Sequence, residues 1–441
     1  MRRPSPAART FVPVAATLLA VSLTATANAR TDTQGAVSKV TEPARITSAT
    51  GVRGPQPGET TFRWRTSGAH TDYYKITTAL TPFGARHGSQ GRHSTTFVVG
   101  NADRRKLTLS PSQTAAAGAG LNTGFRLFFR IKAVNRSGSA SNARPYRHLR
   151  HATITGESSR MNGAHLRVAQ FNVRVEASDI RGHRWKKRQH LVARTIARVH
   201  PAVMGVQELM PAMWTGRHSA GIGLNRSLNR VGAGYYRVTR STGYFTGAAQ
   251  DTRILYNPRR LEMTSTCRQS VPSCYISLPS GGHREVAAFA RFRDRKSGKS
   301  FYVVSAHLTA GNTAAKDDLR GRQARAISAG IAQVNGQNLP IVLVMDANSS
   351  QTSRGVDSPH TVLASAGWYN TIAAARTENL RYNSVQHFRL PQRPSPYGFG
   401  SMYDTIMTRS MPGADLFKQV LAHRPPPSDH NLVFADLRLP R

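Results

Sequence analysis

The chain has 441 residues, with 61 Lys or Arg against 22 Asp or Glu, so its formal net charge is +39. This length suffices for two or three domains with cores of their own, and the absence of a long apolar run beyond the N-terminal segment excludes a helical membrane protein. The charge is far above what solubility requires and predicts a polyanionic partner, namely nucleic acid, anionic lipid or an acidic cell-wall polymer.

The first 29 residues have the composition of a secretory signal peptide. Arg2 and Arg3 precede an apolar stretch at about residues 11–23, and the segment ends in Ala-Asn-Ala at 27–29. The apolar part is too short to span a membrane stably. We therefore expect a soluble, secreted protein that begins near Arg30. The segment takes three arginines with it, which leaves a net charge of +36.

Residues 30–42 are polar and predict a flexible tether. Residues 43–150 predict an all-β region, because short alternating segments recur between turn residues. The predicted strands cover residues 60–65, 72–76, 93–99, a segment that ends within 107–111, and 125–135. Strands at this spacing predict a small β-sandwich.

The order of core residues in 43–150 resembles a fibronectin type III module. Its pattern consists of Trp64, the pair Tyr73 and Tyr74, Leu109, and the strand that ends in 133–139. This region contains 17 Lys or Arg and three acids. A basic module without concentrated carboxylates is suited to binding a polyanion, and the alternative interpretation is an inert, soluble spacer.

After a polar linker near 158–164 the pattern changes to strands that alternate with helices, which predicts one mixed α/β domain over residues 160–441. One predicted helix covers 185–199, with an apolar face that includes Leu191, Val192 and Ile196 and with Arg and Lys on the opposite face. A second helix is predicted near 317–334. Strands are predicted at 165–172, 202–208, 253–256, 286–292, 301–306, 341–348, 402–407 and 431–437.

The sequence has two cysteines, Cys267 and Cys274. In a secreted protein such a close pair predicts a local disulfide, worth about 2.5 kcal/mol by the entropy lost from the unfolded chain. A zinc site is a weaker interpretation, because no histidine pair at ligand spacing accompanies the two thiols.

The centre of the α/β domain is the apolar run 341–345, which Pro340 precedes and a polar stretch follows. Five consecutive apolar residues predict a strand buried on both faces. Its carboxyl end presents Asp346 and Asn348, and ligands of α/β sheets bind at that end. Both residues are candidates for a phosphate or metal site. The alternative is that Asp346 caps a turn and Asn348 tolerates an unusual backbone angle.

Several other polar residues lie inside or at the edge of separate apolar strands, although acids are scarce in this chain. The full set is Asn172, Glu208, His307, Asp346, Asn348, Asp404, Asp429 and His430. A buried carboxylate is costly unless it is paired or binds a cation, so the pattern predicts a metal site. Oxygen ligands without cysteine favour Mg²⁺ or Ca²⁺ over zinc, and two histidines can exchange protons near neutral pH.

Each of these residues taken alone also has a structural interpretation. Asn172 could bond a neighbouring loop, His307 could be a satisfied core histidine, and Asp429 could cap the turn that follows three prolines. The functional interpretation depends on the whole set.

Six short motifs contain this set. They are Phe-Asn-Val-Arg at 171–174, Gln-Glu at 207–208, Ser-Ala-His-Leu at 305–308, Asp-Ala-Asn at 346–348, Tyr-Asp-Thr-Ile at 403–406 and Ser-Asp-His at 428–430. Their order and spacing resemble the endonuclease/exonuclease/phosphatase superfamily, and most of all its deoxyribonuclease I branch. The resemblance covers about residues 160–441. It implies a four-layer α/β/β/α sandwich, in which two sheets pack together with helices outside.

The resemblance also implies the metal and phosphate ligands. Glu208 would be the main ligand of Mg²⁺, or of Mn²⁺ or Ca²⁺, supported by Asn172 and Asp429. Asp346 and Asn348 would bind the phosphate and position the nucleophile.

The proton-transfer groups and the remaining phosphate contacts follow from the same resemblance. His430, oriented by Asp429, would be the general base, and His307, oriented by Asp404, the general acid. Arg284, after the small disulfide loop, would contact the phosphate, as would Arg174.

Two departures from the deoxyribonuclease pattern concern the binding of duplex DNA. Where that branch carries a second glutamate, this chain has Gln250 and Asp251. Whether Asp251 takes the role of that glutamate is left open. Where that branch carries a minor-groove arginine, this chain has Met210.

We therefore expect a secreted, monomeric, divalent-metal-dependent phosphodiesterase that hydrolyses nucleic acid, DNA in first place. The main alternative is a sphingomyelinase-like or other phosphoesterase on the same fold, although the best candidate for an exposed membrane-inserting aromatic, Trp214, is isolated. A catalytically inactive adhesion protein that binds polyanions is a third interpretation.

Overall fold

The computed structural model of the protein describes residues 43–53, 59–68, 70–79, 85, 94–110, 113, 126–135, 150–153, 163–176, 182–217, 220–239, 252–265, 274–280, 285–350, 358–395, 400–411 and 413–440. The predicted signal peptide 1–29 and tether 30–42 lie outside these residues, and so do Asp251, Cys267 and Arg284. The disulfide between Cys267 and the buried Cys274 therefore stays a prediction.

The first described region is all-β. Its strands are β1 Arg45–Arg53, β2 Thr60–Ser67, β3 Tyr73–Ala79, β4 Ser94–Val99, β5 Lys106–Leu109, β6 Arg126–Val134 and β7 Arg150–Thr153. They form a three-stranded sheet in the order β1-β2-β5 and a four-stranded sheet in the order β4-β3-β6-β7. The two sheets share a core, in which the Phe62 and Phe129 rings lie 4.7 Å apart and the Trp64 and Tyr74 rings 5.1 Å apart.

The second region alternates strands and helices. Its helices are α1 Trp185–Val199, α2 Pro211–Thr215, α3 Leu224–Arg230, α4 Ala314–Val334 and α5 Ser358–Ser365. Its strands are β8 Gly163–Asn172, β9 Val203–Gln207, β10 Arg237–Val238, β11 Arg253–Tyr256, β12 Leu261–Met263, β13 Tyr275–Leu278, β14 Glu285–Asp294, β15 Ser300–His307, β16 Ile341–Asp346, β17 Tyr369–Asn370, β18 Arg376–Glu378, β19 Asp404–Arg409, β20 Leu416–Val420 and β21 Leu432–Pro440.

These strands form two mixed sheets. The first has the order β10-β11-β9-β8-β21-β20-β18, and the second has the order β12-β14-β15-β16-β19-β17, with β13 paired to β14. Apolar side chains of both sheets form one buried cluster, which includes Val168 and Val203 of the first sheet and Val303 and Val344 of the second. The strands approach closely at Gly205, where an added Cβ would lie 2.8 Å from Ser305 Oγ. The two sheets therefore pack face to face.

The helices cover other faces of these strands. Val192 and Ile196 of α1 share a buried cluster with Phe171 and Val206. Ala324, Ile327 and Ile331 of α4 share another with Val304, Leu343 and Met345. The side chain of Thr313 caps α4 by accepting a hydrogen bond from the amide of Lys316.

The strand register places polar residues of neighbouring strands in one row. β16 is the apolar central strand, and all six of its residues are buried. It pairs parallel with β15, which sets His307 beside Asp346, and antiparallel with β19, which sets Asp404 on the other side of Asp346. In the first sheet, β8 runs parallel to β9, so the end of β8 at Asn172 lies beside the end of β9. These strand ends build the candidate site.

The mixed α/β class with a preceding β region is confirmed by this architecture. Residues 42–441 form one compact unit. The fibronectin type III resemblance, the exact four-layer order and the domain boundaries at 43–150 and 160–441 stay predictions. Among the helices of the described residues, none combines the length and the apolar character needed to cross a membrane.

Candidate active site

The site is built around Asp346 at the end of β16, which is only 1% exposed. Its Oδ1 accepts a hydrogen bond of 2.9 Å from the amide of Asn348, and its Oδ2 accepts one of 2.9 Å from Nδ2 of Asn172. Two imidazoles face the same oxygen, because Nε2 of His307 lies 3.6 Å and Nε2 of His430 lies 3.8 Å from Oδ2. One buried carboxylate thus lies between both predicted proton-transfer groups.

His430 is held by Asp404. Its Nδ1 lies 2.9 Å from Oδ2 and 3.1 Å from Oδ1 of this fully buried carboxylate. Nε2 of Gln170 donates a further hydrogen bond of 2.7 Å to Oδ1 of Asp404. These bonds leave the second ring nitrogen of His430, Nε2, directed toward Asp346.

This pairing corrects the predicted orienting partners. Asp404 was expected to orient His307 and Asp429 to orient His430, whereas Asp404 contacts His430. The register explains the difference, because β16 separates β19 from β15 and thereby places Asp346, not Asp404, next to His307.

Asp429 lies against Arg174 instead. Its Oδ2 is 3.7 Å from Nη1 of Arg174, and its Oδ1 lies 3.3 Å from Oγ of Ser428. Ser428 Oγ also donates to the carbonyl oxygen of Asn172 at 2.7 Å and accepts from the amide of His430 at 3.2 Å. The segment 428–430 is thereby tied to the end of β8.

Glu208 and Asn172 form the opposite side of the site. Nδ2 of Asn172 donates to Oε1 of Glu208 at 2.9 Å, in addition to its bond with Asp346. The amide of Val175 donates to the other oxygen, Oε2, at 2.8 Å. The side-chain oxygen of Asn172 accepts from the amide of Arg174 at 2.9 Å. Asn172 therefore joins the carboxylates of Glu208 and Asp346 in one network.

Three residues of the site have a left-handed backbone. They are Arg174 with φ of 62°, Glu208 with φ of 59° and Asn348 with φ of 45°. Such a conformation costs a residue other than glycine of the order of 1–3 kcal/mol and persists where surrounding contacts impose it. Asn348 does adopt the unusual angle that its structural interpretation suggested, and it also donates from Nδ2 to the carbonyl of Leu308 at 2.9 Å.

The buried charged groups of the site shift one another's pKa values. Burial alone would lower the pKa of His430, but Asp404, Asp346 and Asp429 outweigh burial and raise that pKa to about 10. Burial would raise the pKa of Asp346, yet the two histidines and the bonds from Asn172 and Asn348 hold it below its usual value. Burial raises the pKa of Asp404. The carboxylates around His430 therefore favour its protonated form.

Asp346, Asp404 and His430 present ligand-type atoms within 4.8 Å of one another. Both oxygens of Asp404 already face protein donors, from Gln170 and His430. Both oxygens of Asp346 also face protein donors, from Asn348 and Asn172, so a cation at this trio would replace existing hydrogen bonds. Glu208 is half-buried.

Arg188 is a site residue that sequence reasoning missed. It was assigned to the polar face of α1, but it is 2% exposed. Its Nη1 donates to the carbonyls of Val173 at 2.7 Å and Pro427 at 3.1 Å, and its Nη2 donates to that of Arg174 at 3.1 Å. Nε donates to the carbonyl of His183. One guanidinium thus fixes both chain segments that carry Asn172, Arg174 and Asp429.

We expect Arg188→Met to lower the free energy of unfolding by about 3–5 kcal/mol, because buried carbonyls would lose a charged donor. Urea denaturation monitored by circular dichroism measures this difference. Lys187→Met is the matched control, since Lys187 is exposed on the same helix and should change stability by less than about 0.5 kcal/mol. Equal stability of the two variants would contradict the role of Arg188.

Gln170 and Ser428 were likewise missed as supports of the site. The signal for Gln170 was its place inside the apolar run 168–171, all of which is buried. Met210, at the position of the expected minor-groove arginine, is half-buried and packs against the cluster around α1. Arg284 and Asp251 lie outside the described residues, so their predicted roles stay predictions.

No protein-family model matches this sequence. No curated protein matches it either. Solved structures that are similar include an endonuclease/exonuclease/phosphatase from Bacteroides vulgatus, at 20% identity over 63% of this chain and 99% of that chain, with a TM-score of 0.48. A mannosyl-6-phosphatase from Bacteroides thetaiotaomicron matches at 18% identity over 62% of this chain and 99% of that chain, with a TM-score of 0.46.

A third similar structure is D. rerio TDP2 complexed with a single-strand DNA product. It matches at 16% identity over 62% of this chain and 98% of that chain, with a TM-score of 0.45. The Bacteroides vulgatus structure is of the same family that the sequence motifs of residues 160–441 resemble.

Proposed function

We propose that this protein is a secreted, divalent-metal-dependent phosphodiesterase that hydrolyses nucleic acid, with DNA as the expected substrate. The observation that carries the proposal is the position of His307 and His430 on one oxygen of the buried Asp346. Hydrolysis of a phosphodiester requires one group that removes a proton from water and one that donates a proton to the leaving oxygen. Two imidazoles about one carboxylate provide this pair.

The exposure of the residues supports a substrate at this position. Arg174, Glu208, His307 and Asn348 are half-buried, whereas Asp346, at their centre, is buried. Arginine and amide donors suit phosphate oxygens, and strained backbone at several strand ends is typical of functional sites. The half-buried residues are therefore the surface that a phosphodiester would meet.

The residues also fit a divalent cation. Nδ2 of Asn172 is the donor that lies between Glu208 and Asp346, so two carboxylates converge on one small polar position. Glu208 and Asp346 would hold Mg²⁺, or Mn²⁺ or Ca²⁺, and Asn172 would join them with its amide turned so that Oδ1 takes the place of Nδ2, because hard cations prefer oxygen ligands. The cation would stabilise negative charge on the phosphate. Asp429, an expected ligand, faces Arg174, and its direct contact with the cation stays a prediction.

The other residues would act around the phosphate. Arg174 and Asn348 would bind its oxygens, and the predicted phosphate contact of Arg284 would add to them. Asp404 would keep His430 oriented and hold its proton-transfer nitrogen toward Asp346. With Asp346 bound to a cation, less carboxylate charge would face His430, and His430 would accept the proton of the attacking water at Nε2.

Nucleic acid is favoured over zwitterionic choline phospholipids and small sugar phosphates by charge. The chain has a net charge of +36 after removal of the predicted signal peptide. The electric field of this charge attracts a polyanion far more than a small ester. A sphingomyelinase-like activity would instead appear as hydrolysis of choline phospholipid vesicles without DNA nicking.

Plasmid nicking in EDTA and after addition of Mg²⁺ tests the function. We expect nicking to stop in EDTA and to return with the cation, because the proposed catalysis requires a cation bound by the carboxylates of the site. Glu208→Gln should lower the rate and shift the Mg²⁺ dependence to higher concentration. Glu262→Gln removes an acid whose side chain is 36% exposed and paired with Arg293, and it should leave both unchanged. Full turnover in chelator would refute the metal-dependent proposal.

A further inference from the structure

The outer face of the β1-β2-β5 sheet carries basic residues at alternating positions. Arg63 and Arg65 on β2 are exposed, while Phe62 and Trp64 between them are buried in the core. Lys106 of β5 is directly opposite Arg63 in the antiparallel register. Like charges directly opposite each other on a sheet are destabilising. The arrangement therefore does not serve the stability of the sheet.

Acids do not offset these charges. Residues 43–150 contain 17 Lys or Arg and three acids in the sequence. Within the described part of the chain, no ion pair joins a carboxylate to Arg63, Arg65 or Lys106. These three cations are therefore available to an external anion.

The same face forms a groove with a volume of 910 Å³. Its lining combines basic residues with hydroxyl groups and includes Arg63, Arg65, Arg105, Lys106, Ser48 and Thr50. Ser48 pairs with Arg65 and Thr50 with Arg63 across β1 and β2, so each arginine has a hydroxyl beside it. Arginine and serine or threonine hydroxyls are typical donors to the oxygens of a nucleic-acid backbone.

The spacing of the charges also suits a nucleic-acid strand. Arg63 and Arg65 are two residues apart on an extended strand, which corresponds to about 6.8 Å. One strand of a DNA duplex rises about 3.4 Å per nucleotide, so this interval is comparable with the axial rise of two nucleotides.

We propose that the basic groove on β1, β2 and β5 binds the phosphate backbone of nucleic acid, as a second contact outside the candidate active site. This inference deepens the proposed function, because it names how the substrate of that site is also held by the N-terminal β region. We expect binding without sequence preference, because arginine, lysine and hydroxyl donors can all contact phosphate oxygens. It can be measured without hydrolysis.

The test compares two triple variants of the full-length chain. Arg63→Gln, Arg65→Gln and Lys106→Gln together remove the groove charges. Lys75→Gln, Arg130→Gln and Lys132→Gln together remove equal charge from the other sheet, where Lys75 is opposite Lys132 and Thr77 opposite Arg130. Binding of a fluorescent 20-base-pair duplex is measured in EDTA over a range of salt concentrations. Hydrolysis of bis(4-nitrophenyl) phosphate is measured separately.

We expect the groove variant to lower the slope of log Kd against log salt by about 2.7, which is three phosphate contacts at about 0.9 each. Its Kd at moderate salt should rise at least about tenfold, whereas the control should lose less than about one unit of slope. The melting temperature of the groove variant should not fall, because the pair of Arg63 and Lys106 is itself unfavourable.

Equal losses in the two variants, or an unchanged slope in the groove variant, would overturn the proposal. Tighter binding of dextran sulfate than of DNA, lost through the same substitutions, would also overturn it and assign the groove to acidic polysaccharide. Hydrolysis of the small diester separates the two inferences. If the groove fails, that hydrolysis is retained; if the proposed enzymatic function fails, hydrolysis is absent while duplex binding still responds to the groove variant.

Discussion

Replacement of His430 by alanine is expected to lower kcat for phosphodiester hydrolysis by about 10² to 10⁴, the usual contribution of one positioned acid or base. The structure provides the reason, because Asp404 fixes Nδ1 of His430 and leaves Nε2 3.8 Å from Asp346. No other histidine among the described residues has a hydrogen bond to Asp404. Steady-state kinetics on a plasmid or oligonucleotide substrate measure the change.

The same substitution should also lower stability. The ring of His430 lies between the buried carboxylates of Asp404 and Asp346, which favour its charged form. Removal of one partner of a buried charged pair commonly costs about 3–5 kcal/mol, since the other charge remains buried. His430→Gln separates the two effects, because an amide can still donate to Asp404 but cannot exchange a proton. We expect it to lose the same activity with a smaller loss of stability.

His423→Ala is the control for both measurements. His423 is an exposed histidine seven residues before His430, and the substitution should change neither kcat nor the free energy of unfolding appreciably. Activity near that of the unmodified protein in either His430 variant would remove this histidine from the proposed chemistry.

Much of the site could be predicted from the sequence, because its polar residues lie at the ends of predicted strands and those ends meet. The run 341–345 is apolar enough to require a central strand, and its carboxyl end at Asp346 lies where the ends of neighbouring strands converge. His307 and Asn172 follow the same rule on β15 and β8. Position along the sheet is encoded by hydrophobic pattern, so the pattern was sufficient to bring these residues together.

The pairing of Asp404 with His430 could not be derived in the same way. It depends on strand order, since β16 lies between β15 and β19 and blocks the expected contact of Asp404 with His307. It also depends on the segment 428–430, which the hydroxyl of Ser428 ties to the end of β8. Hydrophobic periodicity carries no information on the strand order or on the position of this segment. Both depend on contacts between strands that are far apart in the sequence and have similar hydrophobic patterns.

The buried position of Arg188 shows a different limit of prediction from sequence. Its position, three residues after Trp185 and four before Val192, lies on the buried stripe of α1. Residue type argued for the exposed face, because an arginine is almost never fully buried unless it is paired. The partners of Arg188 are backbone carbonyls of two distant loops, and these have no signature in the sequence. Periodicity was the better guide here than polarity.

Replacement of His307 by alanine should also lower kcat by about 10² to 10⁴ on a nucleic-acid substrate. The loss of stability should be smaller than for His430→Ala. The side chain of His307 is 18% exposed, and its contact with Asp346 is 3.6 Å long, so less buried charge is left without a partner. Thermal unfolding of the two variants measures this difference.

The leaving group then distinguishes the two histidines. We propose His307 as the general acid and His430 as the general base. A nitrophenolate leaves without much help from an acid, so a nitrophenyl phosphodiester should partly restore the rate of His307→Ala relative to the unmodified protein. It should not restore His430→Ala, because the attacking water still has to lose its proton. The reverse pattern would exchange the two roles, which the raised pKa of His430 makes a real alternative. Equal restoration of both variants would show that neither histidine protonates the leaving oxygen selectively.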